Sequence, residues 1–151
     1  MQNRPAVGVA VIVIKDGKVL LGKRKGAHGE GSLAFPGGHL ELNESIEACA
    51  QREVFEETGI CISGIREVAF TNDIFSKEGK HYITLFVAAR YVSGQLEIKE
   101  PDKCEKWDWF YWNDFPEPLF LSLRNLLNKG LGPVKEMVNS EGIIAHPGRM
   151  V

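Results

Sequence analysis

The segment Arg52–Gly59, with the sequence REVFEETG, constrains the fold most, because it concentrates negative charge on one short helix. Residues three and four positions apart are neighbours on a helix, so Glu53, Glu56 and Glu57 share one face. Like charges at this spacing repel by roughly 0.2–0.5 kcal/mol per pair on a solvated face. No lysine follows closely enough to neutralise them. The pattern therefore indicates a helix face that holds a cation.

Length and charge limit the class of protein. The 151 residues, 44% of them hydrophobic and 25% charged, suit one globular domain, and we expect a single domain over residues 1–151. The formal net charge is −2, with both signs mixed along the chain. Nucleic-acid polymers select a basic field, so we expect no nucleic-acid polymer as a partner. A small anionic ligand remains compatible with local positive charges.

Cysteine usage and hydropathy indicate the compartment. The three cysteines, Cys49, Cys61 and Cys104, form no CxxC pair, which argues against a disulfide framework or a zinc knuckle and favours reduced thiols. No apolar run approaches the ~20 residues that a membrane-spanning helix needs. The N-terminal segment reaches a turn too early for a signal peptide. We therefore expect a cytoplasmic protein without a membrane partner.

Residue patterns predict strands that alternate with two helices. A nearly continuous apolar run predicts a buried strand at Ala6–Ile14, and the KDGK turn predicts its hairpin partner at Val19–Gly22. Helix formers without internal glycine or proline predict a helix over Glu44–Thr58, which Gly59 ends. Further strands are predicted at Ile65–Ile74, His81–Val92 and Lys106–Trp112, and a second helix at Pro118–Gly130. From Leu131 onward no clear periodicity is present, and we expect a partly mobile tail.

The surroundings of the glutamates follow a fixed spacing. In PGGHLELNESIEACAQREVFEETGI, Gly38 is followed by Glu44 and then by the run Arg52–Ile60. Every defined position over residues 38–60 matches the signature of the Nudix hydrolases. The flanking segments, up to about Gly130, resemble the MutT-type subfamily that cleaves nucleoside triphosphates. The resemblance implies an α+β Nudix fold, in which a mixed β-sheet lies between α-helices as an α/β/α sandwich.

The carboxylate cluster offers the hard oxygen ligands that Mg²⁺ prefers. The resemblance implies a Mg²⁺ site, with Mn²⁺ as a second candidate, and Arg52 as the residue that orients the cluster. The implied ligands are Glu53, Glu56, Glu57 and the carbonyl of Gly37. One glutamate, either of this cluster or from outside it, then takes the proton from the attacking water. The candidates for this base are Glu53, Glu56, Glu100 and Glu105.

A glycine-rich loop and a pocket are the expected substrate contacts. Lys23 and Arg24 precede the loop GAHGEGS, and we predict that they contact the distal phosphates; a solvated strand end is the alternative interpretation. In the subfamily that this chain resembles, the nucleobase of the substrate lies in a pocket near the second helix. Carried over by position, the pocket residues are Phe35, Thr84, Phe120, Ser122 and Leu123. Such a pocket only weakly rejects an analogue with one extra group.

Other polar residues have a structural interpretation. His28, His39 and His81 do not have the spacing of metal ligands, and we expect structural or loop roles for them. Glu44 fits either an exposed helix start or a functional position. The aromatic residues of Lys106–Trp112 are expected in the core and on the sheet surface.

The expected reaction is hydrolysis of a normal or modified nucleoside triphosphate to the monophosphate and pyrophosphate. Other Nudix branches carry a proline for ADP-ribose or a tyrosine for dinucleoside polyphosphates beyond the box, and the segment Asp73–Gly79 has neither. One alternative is hydrolysis of another nucleoside diphosphate derivative. A second alternative is a regulatory domain that binds a nucleotide without catalysis. The resemblance also implies a homodimer.

Overall fold

One sheet and three helices make up the part of the chain that the structure, a computed structural model, describes: residues 3–26, 28–112, 114–130 and 132–144. The strands are β1 (Ala6–Lys15), β2 (Lys18–Arg24), β3 (Leu33–Ala34), β4 (Gly37–His39), β5 (Cys61–Phe75), β6 (Lys80–Ser93) and β7 (Cys104–Tyr111). The helices are α1 (Ile46–Thr58), α2 (Leu121–Asn128) and α3 (Gly132–Ile144).

The sheet is mixed. Its main path runs β3-β2-β1-β6-β5, with β4 paired to β1 and β7 paired to β2. β1 and β6 are parallel, from the pair Ala6–Tyr82 to the pair Ile14–Arg90, and the other strand pairs are antiparallel. Because β4 and β7 both join the central strands, they bring the glycine-rich bend and the aromatic strand to the middle of the sheet.

Alternating side chains of β1 divide the core into two layers. Val9, Val11 and Val13 pack with buried residues of α1, whereas Ile12 and Ile14 pack with buried residues of α2 and α3. Successive side chains of a strand point to opposite faces, so α1 covers one face of the sheet and α2 and α3 cover the other. This arrangement confirms the predicted α+β fold with a mixed sheet between helices.

Helix α1 begins two residues later than predicted. Ser45 has an extended backbone, and its Oγ accepts a hydrogen bond from the backbone N–H of Ala48, so Ser45 is the N-cap. Glu44 therefore lies outside the helix, and its side chain pairs with Arg52. Gly59 ends the helix as predicted, with a φ of 78° in the left-handed region that glycine adopts without strain.

The sequence predicted no helix from Leu131 onward, whereas residues 132–144 form α3; the partly mobile tail stays a prediction. Val134 and Val138 are buried in the core, four positions apart on one helix face. The prediction missed the helix because its apolar residues gain their burial from β1 and β2, which are distant in sequence. Leu131 and residues 145–151 lie outside the described residues.

Further differences concern short elements. The sequence did not predict β3 and β4, which are two and three residues long and exist through pairing with β2 and β1. α2 is confined to Leu121–Asn128. All three cysteines are free thiols, as predicted. Across the described ranges, every helix is too short or too polar to cross a membrane.

Candidate functional site

Three glutamates of α1 have different partners. Glu57 Oε1 accepts a hydrogen bond of 3.1 Å from the backbone N–H of Gly37. Glu53 Oε2 and Glu56 Oε1 accept hydrogen bonds from Arg52 NH1 at 2.8 Å and 3.3 Å. The Glu56 side chain is half exposed, whereas that of Glu53 is largely buried. Glu53 and Glu57 are therefore the two carboxylates that α1 presses against β4.

Arg52 is the centre of a hydrogen-bond network. Its Nε and NH2 donate to the two carboxylate oxygens of Glu44 at 2.7 Å and 3.0 Å, and NH2 also donates to the backbone oxygen of His39 at 3.3 Å. The hydrogen bonds from Arg52 lower the pKa of Glu44 to about 2. Arg52 therefore ties the segment before α1 to the middle of the helix, and it balances part of the charge of Glu53 and Glu56.

The two glycines of β4 allow this close approach. A Cβ on Gly37 would lie 2.0 Å from the backbone oxygen of Val9, and a Cβ on Gly38 would lie 2.3 Å from Cδ of Glu53. Both distances are shorter than real Cβ contacts. The absence of side chains at both glycines therefore lets β1 and the carboxylate of Glu53 contact the same short strand.

Burial raises the pKa of Glu57 to about 8. Burial is the largest cause, and the charges of Glu53 and Glu100 add to it, while the N–H of Gly37 and the charge of Lys103 oppose it. The pKa of Glu53 is raised as well, chiefly by burial. Carboxylates that cannot all ionise together are the setting in which a bound cation is most favourable.

The residues fit a divalent metal by their chemistry. Glu53, Glu56 and Glu57 supply only oxygen ligands, which suit Mg²⁺ or Mn²⁺. Over the described part of the chain, no three or more His, Cys, Asp or Glu side chains lie close enough together to hold a metal ion, and Glu53 and Glu56 are paired with Arg52. The backbone N–H of Gly37 donates a hydrogen bond to Glu57. These four residues would hold the metal, and Arg52 acts as the cationic partner of two of them.

A cavity of about 580 Å³ opens beside these carboxylates. Strands β1, β2, β4 and β6, the loop after β2 and the start of α2 form its walls. The residues predicted from the sequence that line it are Glu53, Glu57, Glu100, Lys23, Arg24, Phe35, Gly37, Thr84, Phe120 and Ser122. One cavity therefore joins the carboxylates, the basic residues of β2 and most of the predicted pocket.

Other predicted residues lie elsewhere. Leu123 is 1% exposed and belongs to the core beneath α2. Arg52 and Glu56 are next to the carboxylates that line the cavity but do not line it themselves. The carboxylate of Glu105 lies 3.6 Å from the ammonium group of Lys23. Among the lining residues that the structure describes, none of these four is present.

Lys23 and Arg24, the two basic residues of β2, differ in the contacts that their side chains already make. The ion pair of Lys23 with Glu105 is exposed on both sides, so water screens it and a phosphate can replace it. Arg24 Nε donates to the backbone oxygen of His28 at 3.0 Å, and its guanidinium lies 4.2 Å from the ring centroid of Phe120. Burial lowers the pKa of Arg24. Arg24 therefore already supports the glycine-rich loop.

Thr84 is held by a buried carboxylate that the sequence analysis missed. Asp73 is 0% exposed, and its Oδ2 accepts hydrogen bonds from Oγ1 of Thr84 at 2.6 Å and of Thr71 at 2.9 Å. Its Oδ1 accepts a hydrogen bond from Nδ2 of Asn125 at 2.8 Å. Because the hydroxyl proton of Thr84 points to Asp73, Thr84 can only accept a hydrogen bond from a ligand.

Several lining residues carried no local sequence signal. His28, Phe75 and Tyr82 come from a loop, from the end of β5 and from β6, and their rings contact one another, with centroids 4.4 Å apart for His28 and Phe75. Lys103 and Trp107 line the cavity from the region of β7. Only strand pairing brings these five residues together, so no spacing rule within one segment could have found them.

Comparison with known proteins gives the family of the chain. A model of the NUDIX domain matches residues 2–129 of this chain. The crystal structure of a MutT NUDIX hydrolase from Burkholderia pseudomallei superposes with a TM-score of 0.78 and 32% sequence identity, covering 83% of this chain and 98% of that one.

Two curated relatives carry functional names. An ADP-ribose pyrophosphatase of Methanocaldococcus jannaschii is 33% identical over 120 residues, which cover 77% of this chain and 68% of that protein. An NAD-capped RNA hydrolase NudC of Vibrio atlanticus is 30% identical over 142 residues, which cover 91% of this chain and 50% of that protein. The chain spans between 34% and 50% of the length of the relatives named NudC that it matches.

Proposed function

Because this chain belongs to the Nudix hydrolase family, we propose that it is a Mg²⁺-dependent pyrophosphohydrolase that converts a nucleoside triphosphate to the monophosphate and pyrophosphate. Nudix hydrolases generally use divalent metals. Removal of modified nucleotides from the nucleotide pool is the role that this reaction would serve. The cytoplasmic location and the homodimer that the sequence suggests stay predictions.

The observation that carries this proposal is the single cavity that joins carboxylates, basic side chains and aromatic rings. Bound Mg²⁺ lowers the pKa of a coordinated water and neutralises phosphate charge. Glu53, Glu56, Glu57 and the carbonyl of Gly37 are the proposed ligands. Lys23 and Lys103 face the cavity as ammonium groups, which attract the phosphates.

The chain also supplies the proton acceptor. The attacking water loses a proton to a glutamate as its oxygen bonds to phosphorus and the anhydride P–O bond breaks. Of the four candidate bases, Glu53 and Glu100 line the cavity, whereas Glu105 pairs with Lys23 and Glu56 is half exposed. We therefore assign the base to Glu53 or Glu100.

The name of the Methanocaldococcus jannaschii relative favours one alternative substrate class. That relative is called an ADP-ribose pyrophosphatase, so a nucleoside diphosphate derivative is the second candidate. Both substrates contain the same phosphoric anhydride, and the proposed metal ligands suit either one. A nucleotide-binding regulator without catalysis is the third candidate, and it would not need the carboxylate cluster.

The first test measures product release with Mg²⁺ from a panel of normal and modified deoxynucleoside triphosphates, ADP-ribose and a dinucleoside polyphosphate. We expect pyrophosphate from one triphosphate well above the other compounds, and no product with EDTA. Glu57→Gln should lower kcat by about 100-fold, as loss of a metal ligand or its support commonly does. Glu47→Gln is the matched control, because Glu47 is exposed on the same helix.

Each other outcome selects a different function. Preferred hydrolysis of ADP-ribose would replace the triphosphate proposal by the second candidate. Nucleotide binding without product from any compound would leave the regulatory candidate. Glu53→Gln and Glu100→Gln, compared over a range of pH, identify the base, because loss of the base removes the acidic limb of the pH profile.

A further inference from the structure

The loop between β2 and β3 places a histidine in the cavity with no internal partner. His28 lines the cavity, and both of its ring nitrogens are buried without a hydrogen bond. Over the described ranges, the only other buried side-chain nitrogen or oxygen without a partner is Nε1 of Trp107, which lines the same cavity. Buried polar atoms without partners are rare in folded proteins, because each one loses the hydrogen bonds that it would make to water.

The imidazole of His28 has an aromatic surrounding. Its ring centroid lies 4.4 Å from that of Phe75 and 5.3 Å from that of Phe120, both in edge-to-face geometry. Tyr82 is 6.3 Å away with a nearly parallel ring. Such a surrounding suits a planar apolar ligand such as a nucleobase and is poor for a charged phosphate.

The backbone of the loop that carries His28 is held from several sides. Arg24 Nε donates to the backbone oxygen of His28 at 3.0 Å. Ser32 Oγ donates to the backbone oxygen of Gly29 at 2.6 Å. A Cβ on Gly29 would lie 2.7 Å from the ring of Phe120, so the loop packs directly on the segment before α2. Because the loop backbone is already held in place, little of it needs ordering when a ligand binds.

The surroundings also disfavour the charged form of the ring. Burial lowers the pKa of His28, and the nearby positive charges of Lys80 and Arg24 lower it further. A neutral imidazole has one N–H donor and one acceptor nitrogen. It can therefore donate a hydrogen bond to an acceptor on the edge of a nucleobase, or accept one from a donor there, depending on which ring nitrogen carries the proton.

We propose that His28 is a specificity-determining residue that hydrogen-bonds a polar edge atom of a purine base bound among Phe75, Tyr82 and Phe120. The inference rests on the proposed function, because it names the base class of the same substrate site. Thr84 contributes only an acceptor, and the hydroxyl of Tyr82 lies 3.3 Å from Nε2 of His39. Neither ring nitrogen of His28 has such a partner, so the imidazole can offer both a donor and an acceptor. A site that hydrogen-bonds its ligand discriminates strongly against an analogue without the matching group.

The kinetic test compares His28→Phe with the unmodified chain on dGTP, dATP and dITP. Phenylalanine keeps the ring contacts and removes both nitrogens. For the preferred purine we expect kcat/KM to fall about tenfold, mainly through KM, while the poorer purines change by less than about twofold. His81→Phe is the matched control, since His81 is absent from the lining residues that the structure describes.

The second measurement separates this inference from the proposed function. Ring ¹⁵N shifts of His28 are recorded with guanosine or adenosine 5′-monophosphate, which bind without hydrolysis. A shift of one ring nitrogen on saturation supports the inference even where no triphosphate is cleaved. Unchanged shifts at saturation, or an equal fall of kcat/KM for all three purines, would overturn it. Absence of triphosphate hydrolysis together with a shifted nitrogen contradicts the proposed function alone.

Discussion

Gly37 and Gly38 show how adjacent residues of the same type serve different purposes. An added Cβ at Gly37 would strike the backbone of Val9, which cannot move without breaking strand pairing. An added Cβ at Gly38 would strike the carboxylate of Glu53, the end of a flexible side chain. The first position therefore controls the packing of β4 on β1. The second controls where a proposed metal ligand can lie.

We predict that alanine at these two positions has separable effects. Gly38→Ala should lower kcat/KM at least about tenfold with a small change in stability, because Glu53 is displaced while the backbone keeps its place. Gly37→Ala should lower the free energy of unfolding by more than about 2 kcal/mol. Urea unfolding and Mg²⁺-dependent hydrolysis measure the two effects.

The control for this pair is Gly132→Ala, because a Cβ there meets no atom within 4 Å. It should leave both activity and stability near those of the unmodified chain. Equal loss of stability in Gly37→Ala and Gly38→Ala would mean that Glu53 cannot move aside, and it would contradict the separation.

Among the helices, α3 shows that a segment without a clear pattern can belong to the core. Val134 is 2% exposed and Val138 is 0% exposed, and both lie in the cluster that contains Ile12, Ile14 and Leu126. The helix therefore helps to cover the face of the sheet opposite α1. Its apolar stripe is narrow, so its helical state depends on packing more than on its own propensity.

Val138→Ala should lower the free energy of unfolding by about 2 kcal/mol, through lost burial of two methyl groups and the cavity that remains. Asn139→Ala, at the neighbouring exposed position, should change it by less than about 0.5 kcal/mol. Urea denaturation followed by circular dichroism measures both variants. A mobile tail would instead make the two substitutions equally harmless.

For the whole molecule, the carboxylates near Arg52 and β4 make stability depend on pH in two opposite ways. The pKa of Glu44 is lowered to about 2 by Arg52, so its contribution is present above its ordinary pKa of 4.5 and is lost as the pH falls toward 2. The pKa of Glu57 is raised to about 8, so its contribution is present below 4.5 and is lost as the pH rises toward 8.

We predict that the metal-free protein loses stability between about pH 5 and about pH 8 relative to Glu57→Gln, because the unmodified carboxyl must ionise in a crowded site. Mg²⁺ at about pH 8 should raise the Tm of the unmodified chain more than that of Glu57→Gln, because metal binds the ionised carboxylate. Urea denaturation in EDTA and thermal scans with Mg²⁺ measure these effects.

Glu47→Gln serves as the control for this pH dependence, since it removes one exposed carboxylate from α1. It should follow the unmodified chain at every pH. Parallel stability curves for the unmodified chain and Glu57→Gln would show that Glu57 ionises normally, and they would contradict the inference that these carboxylates favour a bound cation.

The sequence by itself determined what depends on near neighbours. The β1–β2 hairpin follows from the Asp16–Gly17 turn, in which both residues have a positive φ. Helical spacing places the carboxylates of α1 on one face, and Gly59 ends the helix. Interactions across a few residues decide these features, so a local pattern records them.

The tertiary structure alone decided which residues share the cavity. Pairing of β1 with β6 and of β2 with β7 brings Thr84 and Trp107 to the same space as Glu53. Packing of α2 turns Leu123 into the core while Ser122 lines the cavity. His28 faces this space because Arg24 and Phe120 hold its loop. These positions result from contacts between residues far apart in the chain, and periodicity within one segment contains no information about such contacts.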